Sequence, residues 1–117
     1  MSATPSPPSA ALLSFEKMLA SGKDGALLRY SLGNEYLKVK NGPEAMTHLA
    51  RAVELDPRYT AAWKLLARSQ EMAELHEAAL ASYRCGIEVA REKGDRQAEK
   101  EMTVFARRID RALDPSS

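Results

Sequence analysis

Apolar residues along most of this chain recur three and four positions apart, the spacing that gathers side chains on one face of an α-helix. Sustained period-two alternation is absent, so nothing in the pattern asks for a strand. The periodicity, read with its punctuation, predicts six helical segments: about Ser9–Ala20, Gly25–Lys40, Pro43–Leu55, Pro57–Met72, His76–Lys93 and Arg96–Leu113. Ser9 is placed to cap the first segment. Asn41-Gly42-Pro43 reads as a left-handed stop at Gly42 followed by a helix opening on Pro43. Asp56-Pro57 reads as an N-cap followed by proline in the first helical position, and Gly94-Asp95 as a stop followed by a cap. Met72-Ala-Glu-Leu-His76 contains neither Gly nor Pro, so local signals alone would let one helix run from Pro57 to Lys93.

An internal repeat divides that stretch. A shift of about 34 residues, the period of a helix–turn–helix solenoid unit, lays Leu32 on Leu66, Gly33 on Ala67, Ala45 on Ala79, Leu49 on Tyr83, Ala52 on Gly86 and Val53 on Ile87. Small residues meet small and large apolar residues meet large. The same shift backwards lays Ala45, Met46 and Leu49 on Ala11, Leu12 and Phe15, so the first segment reads as the second half of a truncated unit. Antiparallel helices approach closely only where one presents a small residue, and large side chains fill the space beside it.

The positions Leu32-Gly33, Tyr36, Ala45, Leu49, Ala52 and Leu55-Asp-Pro57, with Trp63, Leu66, Ala67, Ala79, Tyr83 and Gly86 in a second copy, resemble the tetratricopeptide repeat. Arg29 departs from the family by standing where Trp63 supplies an aromatic in the second copy. Gln70 stands where a tyrosine is expected, and Arg91 where a proline is. The resemblance implies an all-α fold, a right-handed α–α superhelix of antiparallel helix pairs closed by a C-terminal capping helix. Its expected organisation is a tail at 1–8, one domain at 9–113 and a tail at 114–117. Within the domain come a half-repeat helix at 9–20, repeats at 26–59 and 60–93, and a cap at 95–113. The cap carries Ala98, Met102, Phe105, Ile109 and Leu113 on one stripe, with Arg96, Lys100, Arg107 and Arg111 on the other side.

The family's concave face is lined by the first helix of each pair. Carried over by position, it offers Leu27, Tyr30, Asn34, Leu37 and Lys38, then Ala61, Lys64, Arg68, Glu71 and Met72. Tyr30, Asn34, Leu37, Lys38, Lys64, Arg68, Glu71 and Met72 are the candidate peptide-binding residues. Their mixture suits a peptide carrying an acidic side chain or a C-terminal carboxylate. Family members that clamp the acidic tails of heat-shock chaperones use a Lys–Asn pattern that is incomplete here. Asn34 fits it, but Tyr30 and Leu65 occupy two of its polar slots.

Composition narrows the function further. Of 117 residues 44% are hydrophobic and 28% charged, an ordinary globular balance. Seventeen basic residues against sixteen acidic ones leave a net charge of +1, with no long-range pull toward nucleic acid or anionic lipid. Acidic residues interleaved with the basic ones of the last segment weigh against nucleic acid as partner. The Pro/Ser-rich start has neither basic nor apolar region of a signal peptide, and no apolar run is long enough to span a bilayer, so a cytoplasmic location is expected. Cys85, the single cysteine, is expected to be a small buried residue, and Trp63 part of the core. His48 and His76 have no partners at metal-ligand spacing, and no catalytic motif or phosphate-cradling loop occurs. The sequence therefore implies a protein- or peptide-binding adaptor without enzymatic activity, metal or cofactor. The alternative is a self-associating structural subunit, a homo-oligomer built through an exposed end of the stack.

Overall fold

The computed structural model describes residues 7–114; the expected tails lie almost wholly outside them. The described residues form six helices: α1 Ala10–Ala20, α2 Ala26–Lys38, α3 Gly42–Leu55, α4 Thr60–Met72, α5 His76–Lys93 and α6 Arg96–Leu113. Each boundary has a local cause. The Ser9 hydroxyl accepts the Leu12 N–H at 3.1 Å and opens α1. Asp95 opens α6 in the same way, accepting from the Ala98 N–H at 3.1 Å. Gly94 closes α5 in the left-handed conformation, φ 72°, so that the Asp95 N–H reaches back to the Ala90 carbonyl at 2.8 Å.

Two of the expected boundaries are corrected. The left-handed stop after α2 is Lys40, φ 61°, not Gly42. With the stop at Lys40, the Asn41 N–H bonds to the Tyr36 carbonyl at 2.8 Å, and the Asn41 side chain is free to cap α3 through the Glu44 N–H. Gly42 becomes a buried first residue of α3. At the next corner, Asp56 and Pro57 form a turn instead of opening α4. Asp56 Oδ1 accepts the Arg58 N–H at 3.0 Å and its carbonyl accepts the Tyr59 N–H, which delays α4 to Thr60.

Between α4 and α5 the chain turns at Glu74, φ 58°, with the Leu75 N–H on the Gln70 carbonyl at 2.9 Å. Lys40 and Glu74 thus do the same work at equivalent points of the period. A side chain in this conformation costs about 1–2 kcal/mol, which the packed helix pairs on either side must offset.

Close approach follows the small residues. A Cβ on Gly33 would stand 2.4 Å from Leu49 Cγ, and one on Gly86 would stand 2.6 Å from Met102 Sδ and 3.0 Å from Trp63 Cβ. Ala45, Ala52, Ala67 and Ala79 have no exposed surface. The core is a succession of seams. Leu12, Leu28 and Leu32 join α1 to α2. Leu49, Val53, Leu65 and Leu66 join α3 to α4, and Tyr83, Met102 and Ile109 join α5 to α6. Each helix meets mainly its neighbours in sequence, as in a solenoid, and the smallest dimension of the molecule, 20 Å, is about two helix diameters.

Candidate binding groove

The first helix of each pair, α2 and α4, touch directly, and α6 continues the row. Tyr30 of α2 stacks on Tyr59 at the start of α4, ring centres 4.9 Å apart. Lys64 of α4 reaches Glu101 of α6 at 2.7 Å. Three helices therefore share one face, and the candidate residues on it fall into two groups.

The larger group already has partners. Tyr30 and Leu37 are half-buried against the core between α3 and α4. Lys38 pairs with Glu35 at 2.8 Å, which holds the Glu35 carboxyl below its ordinary range. Glu71 accepts the phenol of the fully buried Tyr83 at 2.6 Å, and burial followed by this bond pushes that phenol well above its usual pKa. The smaller group is free: Arg68 and Met72 are exposed, and among the described residues neither Arg68 nor Asn34 has a side-chain hydrogen bond or ion pair. Between α4 and α6, Lys64, Thr60 and Ala61 face Asp95 and Ala98 across a cleft of about 190 Å³. The Thr60 hydroxyl is buried there with no partner among the described residues. Thr60 carried no sequence signal, because its burial depends on where α6 packs.

A second polar constellation was only half visible as a departure from the repeat. Arg29 makes two bonds to Asp24, Nε–Oδ1 at 2.8 Å and Nη2–Oδ2 at 3.0 Å, and places Nη1 3.1 Å from His48 Nδ1. A guanidinium can only donate, so His48 Nδ1 accepts and the ring's proton sits on Nε2, 3.6 Å from Glu16. Tyr36 stacks on the His48 ring and donates to Glu16 at 3.2 Å. Burial lowers the His48 pKa, the nearby Glu16 opposes that shift and Arg29 reinforces it. The hydrogen bond from Arg29 holds Asp24 below its ordinary value. This network ties α1, α2, α3 and the α1–α2 loop together. It explains why an arginine serves in the slot that Trp63 fills in the second pair. Gln70, the other departure, accepts the Ser82 hydroxyl at 2.6 Å.

Trp63 packs against the core as expected and donates Nε1–H to the Pro57 carbonyl at 2.8 Å. Cys85 is exposed, contrary to expectation. It shares the outer face of α5 with Ala81, Arg84 and Glu88, all exposed, and Arg84 reaches across to Asp110 of α6 at 3.5 Å. No group of three or more His, Cys, Asp or Glu among the described residues is placed to hold a metal ion. No described helix is long and apolar enough to cross a membrane.

Stacked helix hairpins joined by small-residue seams, with one row of helices presenting a shared face, define a helical-repeat scaffold. The family model of the tetratricopeptide repeat matches residues 26–69. A TPR repeat-containing protein of Pseudomonas aeruginosa is 50% identical over 97 residues, 83% of this chain and 92% of that protein. The solution structure of a Bordetella parapertussis protein aligns with a TM-score of 0.75 and 36% identity, covering 89% of this chain and 90% of the other. A tetratricopeptide repeat domain protein of Salinibacter ruber aligns in its solution form with a TM-score of 0.70 and 29% identity over 79% of this chain and 92% of its own. Its crystal form gives 0.68 and 30% over 73% and 96%. The chain belongs to the tetratricopeptide-repeat family, and its fold is the all-α superhelix of that family. Such repeats mediate protein–protein interaction through extended surfaces.

Proposed function

We propose that this protein is a cytoplasmic adaptor that receives a peptide or protein segment on the face shared by α2, α4 and α6, without catalysis. The segment carries an acidic side chain or a terminal carboxylate. The observation that supports this reading is Arg68. It stands exposed on α4, one turn from Lys64 and one turn from exposed Met72, with no carboxylate of the described residues engaging it. Lys64 and Lys38 are already neutralised in part by Glu101 and Glu35. Arg68 is therefore the primary anchor, Asn34 and Met72 supply amide and apolar contacts, and Lys64 contributes when a ligand carboxylate competes with Glu101.

The alternative reading, self-association, draws on exposed Leu13 and Leu27 toward the start of the chain. Arg68→Glu separates the two. Immobilised wild type and variant, matched for helicity by circular dichroism, are compared for partner capture. Loss of a partner on the variant supports the groove. Equal recovery of the same proteins removes it as the site, and a mass that rises with concentration in sedimentation favours self-association.

A further inference from the structure

Among the described residues, α2 is covered by α3 and α4 by α5, whereas the outer side of α6 is bare. Its inner stripe, Met102, Ala106 and Ile109, is buried against α5. Beyond it lies an open groove of about 730 Å³ on the side of Arg96, Lys100, Thr103, Val104 and Arg107. These five recur at helical spacing, so they form one stripe. Arg96 and Arg107 stand about 16 Å apart along the axis, or three turns. None of the three cations is in an ion pair with a described residue, while Arg91 at the groove's edge is held by Glu99 at 3.0 Å. Val104, between the cations, leaves 57% of its surface exposed.

We propose that this groove seats an acidic amphipathic helix of a partner protein, laid along α6 as α5 lies along α4. Apolar residues of that helix, spaced three and four apart, would pack on Val104 and the Thr103 methyl. Flanking Asp or Glu residues would meet Arg96, Lys100 and Arg107, the arginines through two-point contacts. A nucleic-acid strand fits less well, because Val104 offers apolar surface in the middle of the stripe, where a phosphate would need a donor. A second copy of this chain fits less well too. Its acidic–apolar patch, Glu74, Leu75 and Glu77, sits at the α4–α5 turn and is too short to follow a three-turn stripe. The surface is separate from the Arg68 groove, so the two proposals stand or fall independently.

The test uses the full chain and three fluorescent probes: a roughly 18-residue peptide, about five helical turns, with leucines at helical spacing flanked by glutamates; a scrambled peptide of the same composition; and a short single-stranded DNA. Anisotropy should show the amphipathic peptide binding about tenfold more tightly than the scramble. Arg96→Glu/Arg107→Glu and, separately, Val104→Asp should each weaken it about tenfold, and Lys17→Glu, on distant α1, should leave it unchanged. Amide shifts should centre on Lys100–Arg107. All substituted positions are exposed, and circular dichroism checks that the helices persist. Equal affinity for the scramble, tighter binding of the DNA, no binding of any probe, or undiminished binding by the double variant would overturn the proposal.

Discussion

The two helix pairs share a period but are sealed by opposite chemistry. Between α2 and α3, Arg29 approaches His48, tied outward to Asp24, Glu16 and Tyr36. Between α4 and α5, the slot of Arg29 is filled by Trp63, lying against Gly86. The pairs also differ in length: α3 has 14 residues and α5 has 18. Pro57 stands just beyond α3, where it cannot extend a helix, and its counterpart is Arg91 inside α5. The additional turn is stitched to its surroundings. Arg91 pairs with Glu99, Glu92 with Arg58 at 2.8 Å, and Lys93 donates to the Arg58 carbonyl. A repeat therefore constrains where helices meet, not which chemistry fills the seam or how far a helix runs past it.

The largest test of that comparison is Arg91→Pro, which imposes the first pair's stop on the second. A proline in the last turn of α5 should cost about 3 kcal/mol. It should shorten the helix and lower the thermal midpoint, read by circular dichroism; a change no larger than that of an ordinary surface substitution would show that this position does not set the length.

The glycines give a smaller, differential effect. Gly33→Ala forces a methyl into Leu49, itself fully buried, and should destabilise by about 1–3 kcal/mol in denaturant titration. Gly86→Ala should cost less: both sites gain the same helix propensity from alanine, but the unbranched Met102 thioether can shift where the branched Leu49 cannot, leaving only the Trp63 Cβ at 3.0 Å to accommodate. Equal losses would mean that Met102 is as immobile as Leu49. Tyr83→Phe should then remove about 1 kcal/mol by deleting the bond to Glu71, with Tyr36→Phe losing less because its bond to Glu16 is longer.

The smallest effect is also the most diagnostic of the polar seam. His48 has a lowered pKa in the folded state, so below about pH 6.5 the unfolded chain binds a proton that the folded one does not. Stability should be level above that pH and decline as pH falls below it, until the folded histidine also protonates. His48→Gln should flatten this step. Asp24 and Glu35, whose pKa values are also lowered, contribute stability that is lost only at more acidic pH, through the carboxylate range. A step that survives in His48→Gln would mean that another group carries it.

The make-up of the face shared by α2, α4 and α6, where the groove is proposed, was largely legible in the sequence. The positions of Tyr30, Asn34, Lys64 and Arg68 follow from helix spacing once the repeat is seen. What could not be read was which of them would already be engaged. Lys64 meets Glu101 and Glu71 meets Tyr83, and both pairs form between helices whose relative rotation no local pattern specifies. The split between α4 and α5 was legible only from the period, because Glu74 adopts the left-handed turn without the glycine that would announce it.

The sequence by itself determined six helices, the small residues at which they touch and the family to which they belong. These are local or periodic properties, written as spacing, capping and volume. Tertiary structure alone decided that Cys85 faces outward, that the Thr60 hydroxyl is buried with no partner among the described residues, that Arg29 reaches His48 and that no other described helix covers the outer side of α6. Each depends on the angle and register at which distant helices pack. Those are fixed by the sum of many weak contacts along a seam, not by any short run of residues.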